Sequence, residues 1–600
     1  MSTYKGLTGS QIIYRKLIKY GMNVANVYSG GAIMPLIDEL HPNKNRKIKY
    51  YVHSHEQHCT HAATGYAKAS GKTGLCIVTS GPGLTNSITG MLDATNDSTP
   101  LMVISGQVPI KAMGTLAFQE CPAIEISSPC TKYSHCVKNI EELPEVFDYA
   151  YHIANDGKKG AVHIDIPKCI FNQIYTDSNY LKYNSIIEKE NLEASFLKSK
   201  SKDLNIEYMK KISTLINNSK KPVLYVGQGC NNYKDLLTKF VNSSNIPITT
   251  TLHAMGVYDE DQELSLKMLG MHGSVYANKS MQEADLIICI GARFDDRTTG
   301  NIELFAPKAK EASRNKTGGF IHCNISKSEL NKVIDTDYPV LSDCGDFLKH
   351  LNNNIDKTKS NSDDRLKWLN TIKKWKNQYP LSYQDTNDCR IKTQTVLNEL
   401  DKSMSDNTLI TTGVGSHQMM ATQFITYKGN RRIISSGSLG VMGAGIPYGI
   451  GCKLAYPEKD VIVIDGDSSA LMTLTDIKTV VENNIPIKIA IINNHTQSMV
   501  KEWEKLFFDG RITATTNKKN PKFNKVAQAF GMKGLYCNNI NDLKNIVKQF
   551  ISYDGPILCE FETIDEICLP LVKPGHALDD MLLADEYNNK FLKLDGEAPC

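Results

Sequence analysis

The chain has 600 residues, which at about 150 residues per domain predicts three to four domains. Apolar residues make up 41% and charged residues 22% of the chain, a balance typical of globular proteins. The 68 basic and 64 acidic residues leave a net charge of +4, which is close to neutral for this length. This balance argues against a protein that binds nucleic acid or a membrane surface.

The N-terminal segment carries no recognisable targeting signal. It contains neither the apolar core of a signal peptide nor an Arg- and Ser-rich presequence, and apolar residues at helical spacing (Ile12, Ile13, Leu17) predict that a helix begins almost at once. The 16 cysteines include no CxxC pair, which disfavours zinc ribbons and indicates a reducing compartment. We expect a cytoplasmic location, or an organelle if a transit peptide has been removed or the gene is organellar.

The first block, residues 1–175, alternates apolar runs with amphipathic stretches, as parallel α/β units do. The runs at 74–83, 101–106 and 161–167 are typical of buried parallel strands. Around 171–205 the composition turns polar, which indicates a linker.

The second block, residues 205–350, repeats this rhythm. Strands are predicted at 221–229, 246–252, 284–291 and 318–325. The weakly hydrophobic segment 351–364 indicates a second boundary, ahead of a helix that carries Trp368 and Trp375.

The third block, residues 385–570, is followed by a tail, residues 571–600. Strands are predicted at 407–415, 431–437, 460–467, 487–494 and 555–562. The uncharged stretch 433–452 contains six glycines and a proline, so we interpret it as a turn system and not as a membrane span. The fold class we expect is α/β, with three doubly wound parallel-sheet domains.

Two glycine-rich segments match phosphate loops only in part. GYAKASGKT (65–73) has five residues between its glycines where a Walker A loop needs four, which excludes that ATP-binding motif. GQGCNN (227–232) follows an apolar strand and has the first two glycines of a dinucleotide fingerprint but not the third.

The third block holds the strongest chemical motif. Asp467 ends DVIVIDGD, Asn494 ends IKIAIINN, and a helical stretch separates them. Because parallel strands open on the same edge of a sheet, both side chains can offer oxygen ligands to one Mg²⁺, which usually bridges to phosphates. The alternative is a pair of ordinary turns at a helix cap and a loop. We favour the cation site.

At these residues the sequence resembles the thiamin-diphosphate enzymes, whose diphosphate and Mg²⁺ motif matches Gly466-Asp467-Ser468 through Asn494. The likeness extends over nearly the whole chain and is specific to the acetohydroxyacid synthase (acetolactate synthase) family. It is carried by SGPGLTN, SGQVPIKAMGTLAFQE, MLGMHG, GARFDDRTTGNIELFA, GVGSHQMMATQF, SLGVMGAGIP and MVKEW. The family implies a pyrimidine-binding first domain, a flavin-binding second domain and a diphosphate-binding third domain.

The resemblance implies a role for individual residues at the cofactor. Glu56 corresponds to the carboxylate that activates the cofactor, and Met442 to the bulky residue that bends it; with Gln119 they are the expected catalytic residues. The thiamin-diphosphate contacts implied are Glu56, Val414, Met442, Gly466, Asp467, Ser468, Asn494 and Met499. The implied metal ligands are Asp467, Asn494 and Thr496. Ser468 and Ser498 stand where the family pattern has glycine.

The substrate path and the flavin site are implied in the same way. The substrate residues are Gly31, Lys111, Phe118, Gln119, Arg297 and Trp503, with Lys111 replacing the family's usual arginine. The FAD contacts are Gly227, Gly229, Thr251, Leu252, His272, Gly273, Arg293, Asp296 and Asn324, with Asn324 replacing an aspartate.

The expected activity is that of an acetolactate synthase. It decarboxylates pyruvate on thiamin diphosphate and transfers the hydroxyethyl unit to a second 2-ketoacid, pyruvate or 2-ketobutyrate, in branched-chain amino-acid biosynthesis. The resemblance implies Mg²⁺ and FAD as further cofactors, a homodimer or tetramer with active sites between subunits, and a possible small regulatory subunit. The alternatives are another thiamin-diphosphate decarboxylase or oxidase, or a catalytically dead regulatory homologue.

Overall fold

A computed structural model describes residues 4–44, 47–176, 205–386 and 388–584. It contains three six-stranded sheets in which all strands run parallel, each flanked by helices. The expected fold class of three doubly wound parallel α/β domains is confirmed. Most of the predicted linker, residues 177–204, and the last part of the predicted tail lie outside the described residues.

The first sheet has the strand order β2-β1-β3-β4-β6-β5. Its strands are β1 Val24–Val27, β2 Lys49–Val52, β3 Gly74–Val78, β4 Leu101–Gln107, β5 Tyr133–Cys136 and β6 Ala161–Pro167. Its α-helices are Gly9–Lys19, Met34–Glu39, Glu56–Ser70, Pro82–Thr85, Ile88–Asn96, Ala123–Ser127, Leu143–Asn155 and Lys168–Asn172, with 3₁₀ turns at Pro42–Lys44, Ile110–Ala112 and Ser128–Cys130. The central strands β3, β4 and β6 are buried along their whole length, as their apolar sequences predict.

The second sheet has the order β12-β11-β10-β7-β8-β9. Its strands are β7 Pro222–Val226, β8 Ile248–Thr250, β9 Ser265–Met268, β10 Leu286–Ile290, β11 Gly319–Asn324 and β12 Tyr338–Leu341. Its α-helices are Ile206–Asn218, Lys234–Ser244, Val275–Glu283, Asp296–Thr299, Pro307–Arg314, Cys344–Asn354, Lys357–Ser360 and Asp363–Gln378, with 3₁₀ turns at Gln228–Cys230, Leu252–Ala254 and Lys327–Glu329. The segment 351–364 is therefore partly helical, and the tryptophan-bearing helix follows it as predicted.

The third sheet has the order β14-β13-β15-β16-β18-β17. Its strands are β13 Leu409–Thr412, β14 Arg432–Ile434, β15 Val461–Gly466, β16 Lys488–Asn493, β17 Lys533–Cys537 and β18 Ile557–Glu562. Its α-helices are Thr393–Ser403, Ser416–Phe424, Gly445–Ala455, Asp467–Leu471, Ile477–Glu482, Ser498–Phe507, Phe523–Ala529 and Ile540–Ser552, with a 3₁₀ turn at Leu474–Asp476.

Residues 571–584 pack back onto the central domain. They contain a two-stranded antiparallel sheet, β19 Leu571–Val572 and β20 Met581–Leu582. Leu578 is fully buried in the apolar cluster around β10, and its carbonyl accepts a hydrogen bond from Asn278 Nδ2 at 3.0 Å. This part of the predicted tail is therefore an ordered element of the fold.

The uncharged stretch 433–452 is only partly the turn system that its glycines predict. Turns occupy its middle, but Gly445–Ala455 is a helix buried on nearly every side. It crosses the helix Glu56–Ser70 so closely that a Cβ at Gly451 would lie 1.9 Å from Ala62 O. The first and third domains therefore meet through two helix backbones. In the described part of the chain, no helix is long and apolar enough to cross a membrane.

Asp97 lies where all three domains meet. Its buried carboxylate accepts hydrogen bonds from Lys68 of the first domain at 2.6 Å and from the Gly437 and Ser438 amides of the third at 3.0 and 2.9 Å. His253 Nε2, from the central domain, lies 3.2 Å away. Burial raises the pKa of Asp97, but Lys68 and His253 outweigh this and hold it well below the ordinary value. One carboxylate thus joins the segment ahead of Met442 to the other two domains.

Candidate active site

The ends of β15 and β16 lie side by side, as the motif predicts. The register pairs Gly466 with Ile492, so Asp467 and Asn493 leave the sheet together. Asn520 spans both, because its Nδ2 atom donates to Asp467 Oδ2 at 2.6 Å and to Asn493 Oδ1 at 2.9 Å. Asn517 Nδ2 also donates to Asp467 Oδ2, at 2.9 Å. Burial raises the pKa of Asp467, and these amide donors oppose the rise.

Asn494 begins a short polar turn beyond β16. Its Oδ1 accepts hydrogen bonds from Thr496 N at 3.3 Å and Thr496 Oγ1 at 3.2 Å, and its Nδ2 donates to Ser498 Oγ. Thr496 Oγ1 also donates to Asp565 Oδ1 at 3.2 Å. The donor set of Asp467, Asn494 and Thr496 consists of hard oxygen atoms, which fits Mg²⁺. No cluster of three or more His, Cys, Asp or Glu side chains suited to a metal occurs among the described residues.

The two serines that replace family glycines fit the local backbone. Ser468 lies within the helix Asp467–Leu471, outside the left-handed region, so a Cβ causes no strain there. Its Oγ accepts a hydrogen bond from Asn517 Nδ2 at 2.7 Å. Ser498 begins the helix Ser498–Phe507. Both serines therefore add polar contacts to the motif and leave its main chain intact.

His417 is a further candidate site residue, which the motif GVGSHQMMATQF contains but which the sequence pattern did not single out. It lies in the first turn of the helix Ser416–Phe424, just after Val414, and is buried. Its Nε2 lies 3.4 Å from Asp465 Oδ1 and makes no hydrogen bond, and a Cβ at Gly466 would lie 2.7 Å from its Nδ1. Nε2 faces the Asp465 carboxylate, and Nδ1 lies on the side of Gly466, the residue before Asp467.

Met442 lies on a tight turn between Gly440 and Gly443, whose φ angles are +73° and +83°. Both ends of Gly443 are held: its N–H donates to Ser469 Oγ at 2.8 Å, and its carbonyl accepts from Thr473 Oγ1 at 2.7 Å. Met442 itself is half-buried. The turn therefore presents this side chain on a rigid support beside the helix that Asp467 begins.

Glu56 is the first residue of the helix Glu56–Ser70 and is only 7% exposed. The preceding His55 caps the helix by accepting a hydrogen bond from Gln57 N at 3.1 Å. Asn86 Nδ2 donates to Glu56 Oε2 at 3.0 Å, which fixes the carboxylate and leaves Oε1 for another partner. Asn86 belongs to the SGPGLTN motif, so two sequence motifs meet at this carboxylate.

Three of the four predicted substrate residues of the first domain lie on an exposed loop. Lys111 is exposed in the turn Ile110–Ala112, Phe118 is 89% exposed, and Gln119 has a left-handed φ of +63°. Gln119 packs against Gly81, where a Cβ would lie 2.9 Å from Gln119 O. Gly31 is exposed ahead of the helix Met34–Glu39.

The loop is held by Glu120, whose carboxylate accepts hydrogen bonds from the Gly114 and Ala117 amides. These backbone donors lower the pKa of Glu120. The loop is therefore ordered although its apolar side chains face outward.

Arg297 and Trp503, from different domains, are brought together. The Arg297 guanidinium lies 6.0 Å from the centre of the Trp503 ring, and its Nη1 lies 3.0 Å from Met271 Sδ. Trp503 is one helical turn beyond Met499, so both occupy the same face of the helix Ser498–Phe507. The Trp503 ring and the Arg297 guanidinium therefore form one surface with an apolar part and a charged part.

The residues expected to bind FAD gather at the carboxyl edge of the central sheet. Gly227 and Gly229 follow β7, and Thr251 and Leu252 follow β8. A Cβ at Gly227 would lie 2.2 Å from Gly291 O, so only glycine permits this approach of the β7 and β10 turns. Nucleotides bind at this edge of doubly wound sheets, which fits the expectation.

The remaining flavin candidates line the same edge. Arg293 donates to Ser438 of the third domain, and Asp296 is exposed at the start of the helix Asp296–Thr299. His272 and Gly273 are buried, and burial, aided by Arg297, lowers the pKa of His272 to about 4. Asn324 ends β11, where its Nδ2 donates to Ala292 O at 3.1 Å and its Oδ1 accepts from Ser326 N at 3.0 Å. Asn324 thus makes two hydrogen bonds at this position with a neutral side chain.

Three models of thiamine pyrophosphate enzyme domains match the chain. They are the N-terminal TPP binding domain over residues 7–126, the central domain over residues 209–351 and the C-terminal TPP binding domain over residues 413–561. The two TPP binding domains contain Glu56 and Asp467, respectively.

Full-length relatives agree with these matches. An acetolactate synthase catalytic subunit, mitochondrial, of Saccharomyces cerevisiae is 41% identical over 97% of this chain and 85% of its own length. An acetolactate synthase, chloroplastic, of Arabidopsis thaliana is 35% identical over 97% and 85%, and an acetolactate synthase large subunit of Lactococcus lactis is 36% identical over 96% of each chain. The chain therefore belongs to the thiamin-diphosphate enzyme family and, within it, to the acetolactate synthase catalytic subunits.

Proposed function

We propose that this protein joins two 2-ketoacids, releasing CO₂ from pyruvate and transferring the remaining two-carbon unit to pyruvate or 2-ketobutyrate. The observation that carries this proposal is the convergence of the β15 and β16 ends, which Asn520 bridges and beside which the His417 ring is buried. Thiamin diphosphate, when bound, supplies the electron sink for decarboxylation. The chain's own residues supply position, charge and proton transfer.

Asp467, Asn494 and the Thr496 segment would hold Mg²⁺, and His417 would bind the diphosphate. Asp467 is the only carboxylate of this set, so it provides the charge that retains the cation. The supporting observation is that neutral groups donate to these oxygens: the Asn517 and Asn520 amides donate to Asp467 Oδ2, and the Thr496 hydroxyl donates to Asn494 Oδ1. The Asn517 and Asn520 amides satisfy Asp467 Oδ2, so Oδ1 is the ligand atom we assign.

Glu56 would exchange a proton with the aminopyrimidine ring of the cofactor. A buried carboxylate whose second oxygen is fixed by Asn86 presents one oxygen in a defined direction. Met442 would support the ring from its rigid turn, and Gln119 would face the substrate. A positioned proton-transfer group of this kind commonly contributes about 10²–10⁴-fold to the rate.

The acceptor 2-ketoacid would bind beside the paired Arg297 and Trp503 side chains. A guanidinium pairs well with a carboxylate, and the indole offers an apolar wall for the alkyl group. Lys111 adds a second positive charge on the exposed loop. The central sheet edge would carry FAD in a structural role, supported by the close approach at Gly227.

The assembly we propose is a homodimer or tetramer in which Glu56 of one subunit serves Asp467 of another, with a possible small regulatory subunit. The terms catalytic subunit and large subunit in the names of relatives support such a partner. The words mitochondrial and chloroplastic in the names of relatives support an organelle as the location.

One assay tests the activity and the role of Glu56 together. Purified protein with thiamin diphosphate, Mg²⁺, FAD and pyruvate should form acetolactate without peroxide, and chelation of Mg²⁺ should stop it. Glu56→Gln should lower turnover about 10²-fold or more while cofactor affinity stays near normal. Peroxide as the main product would instead identify an oxidase, and no turnover by the loaded wild type would favour a dead homologue.

A further inference from the structure

A buried histidine stands three residues ahead of Glu56. β2 ends at Val52, and His53, Ser54 and His55 lead directly into the Glu56 helix. His53 Nδ1 lies 2.8 Å from Asp476 Oδ2, and its Nε2 lies 2.9 Å from Asn26 Oδ1. The side chains of His53 and Asp476 are both fully buried. The pair crosses from the first domain to the third.

The hydrogen bonds fix the orientation of the His53 ring. Asn26 Nδ2 donates to Leu75 O at 3.4 Å, which directs its Oδ1 towards the His53 ring. Burial raises the pKa of Asp476, but His53 and His58 outweigh this and hold it far below its ordinary value, so Asp476 is ionised. Both ring nitrogens of His53 therefore lie within hydrogen-bond distance of a side-chain oxygen, and Nδ1 lies against the ionised carboxylate of Asp476.

Further contacts from the same turn converge on Asp476. Its Oδ1 accepts hydrogen bonds from Ser54 N at 3.2 Å and Thr479 Oγ1 at 3.0 Å, and it lies 3.5 Å from His58 Nδ1. Ser54 Oγ donates to Thr475 O at 2.8 Å. The residues that hold Asp476 thus flank Glu56 on both sides along the chain, at positions 53, 54 and 58.

We propose that Asp476 and His53 are positioning residues for Glu56, fixing the turn from which its carboxylate points; this rests on the catalytic role proposed for Glu56. Because the pair is buried, loss of the Asp476 charge or of the His53 ring leaves the other side chain buried without its partner, and the turn must shift to relieve this. Only Met472 and Thr473 separate the Asp467 helix from the turn that ends at Asp476. One segment of the third domain therefore contains the proposed metal ligand Asp467 and also, through Asp476, holds the turn that precedes Glu56.

The test follows exchange of the C2 proton of bound thiamin diphosphate with deuterium, measured by NMR without substrate. Asp476→Asn keeps the side-chain shape and removes the charge. At saturating cofactor we expect exchange to slow by about 10- to 100-fold, the effect of displacing a catalytic group by about 1 Å. Combined with Glu56→Gln, it should slow exchange little further, because both changes act through one group.

Asp148→Asn is the matched control. Asp148 forms an ion pair with the buried Lys16 at 2.6 Å elsewhere in the first domain, so its loss should lower the melting temperature of the cofactor-free protein and leave exchange unchanged. If Asp476→Asn fails to fold, His53→Gln, which keeps a donor towards Asp476, carries the same expectation.

Three outcomes distinguish the positioning role of Asp476 and His53 from the catalytic role proposed for Glu56. Slow exchange in both Glu56→Gln and Asp476→Asn, with no further loss on combination, supports the inference. Normal exchange in a folded Asp476→Asn or His53→Gln protein, with slow exchange in Glu56→Gln, overturns it and leaves the proposed function intact. Normal exchange in Glu56→Gln overturns the role of Glu56 itself, and with it the inference.

Discussion

Single side chains from separate domains create the surfaces on which the proposed chemistry depends. Trp503 is half-buried on the third domain, yet the charge above its ring is that of Arg297 from the central domain. Neither residue alone distinguishes a substrate site from surface packing. Their meeting near Met499 gives the acceptor proposal its physical basis.

Trp503→Leu should change which product forms. With equal pyruvate and 2-ketobutyrate, the wild type should make mostly 2-aceto-2-hydroxybutyrate, because one added methylene in an apolar pocket is worth about 10–200-fold. The variant should lose this preference while pyruvate self-condensation stays largely intact. The measurement is the ratio of the two products in competition.

Phe508→Leu is a suitable control, since this exposed ring directly follows the same helix. It should leave the product ratio unchanged. Both products falling together in Trp503→Leu, at an unchanged ratio, would mean that Trp503 serves packing alone.

Glu502, next to Trp503, makes the stability of the protein depend on pH. Its Oε1 accepts hydrogen bonds from Ser416 Oγ at 2.6 Å and Cys568 N at 3.1 Å, and burial raises its pKa to about 7. An unfolded glutamate titrates near 4.3. Between these values the folded protein holds a proton that the unfolded chain has released, so stability falls as the pH rises.

Glu502→Gln should remove this contribution. Relative to the wild type, its free energy of unfolding should be similar at pH 5 and higher at pH 8, by on the order of 3 kcal/mol. Urea unfolding at both pH values measures the difference, and Glu260, whose pKa burial also raises to about 7, contributes equally to both proteins. The exposed Glu482→Gln serves as the control. An equal difference at both pH values would contradict the assignment.

At the scale of elements, the contact between the helices Glu56–Ser70 and Gly445–Ala455 sets how the first and third domains pack. A Cβ at Gly65 would lie 2.6 Å from the Tyr448 backbone, and one at Gly451 would lie 1.9 Å from Ala62 O. Because these glycines have no Cβ, the two helix backbones can lie in direct contact. The helix that carries Glu56 is thereby fixed against the domain that carries Asp467.

Gly451→Ala should therefore lower stability through overpacking, by about 1–3 kcal/mol. Thermal unfolding of the cofactor-free protein measures the effect. Gly31→Ala is the matched control, because a Cβ at Gly31 meets no atom within 4 Å. Equal melting temperatures for the Gly451→Ala protein and the wild type would show that the interface relaxes without cost.

At the scale of the whole molecule, the proposed assembly places Glu56 and Asp467 of different subunits in one active site. Mixing inactive Glu56→Gln and Asp467→Ala proteins and allowing subunits to exchange should then restore activity. Random reassociation makes half of the dimers hybrids, each with one intact site, so about a quarter of wild-type activity is expected. The measurement is acetolactate formation before and after exchange.

A double Glu56→Gln/Asp467→Ala subunit provides the control for this mixture. Combined with Asp467→Ala, it forms no site with both residues intact and should stay inactive. Persistent inactivity of the first mixture, despite verified subunit exchange, would place both residues in a site within one chain.

Local pattern is sufficient for the features that depend on a continuous stretch of residues. The apolar runs of β3, β4, β7, β10, β15 and β16 identify buried parallel strands, and the position of Asp467 and Asn494 at strand ends predicts their shared edge. The edge strands β2, β5, β9, β12 and β17 escape prediction, because strands covered on fewer sides need no continuous apolar run. The interior strand β1 also escapes prediction, because it is only four residues long and Asn26 interrupts its apolar residues.

Contacts between distant segments depend on the packed fold. No local signal marks Asn520 as the bridge to Asp467 or Asp476 as the partner of His53, since each pair joins only after strands, helices and domains have packed. Likewise, the glycines of Gly445–Ala455 disguise this helix in the sequence, because glycine disfavours helices. Their small size is needed only where this helix packs against the helix Glu56–Ser70. The amino-acid order thus determines the elements and the motif chemistry, whereas burial and long-range hydrogen bonds determine which atoms meet, because both require surfaces that are far apart in the chain.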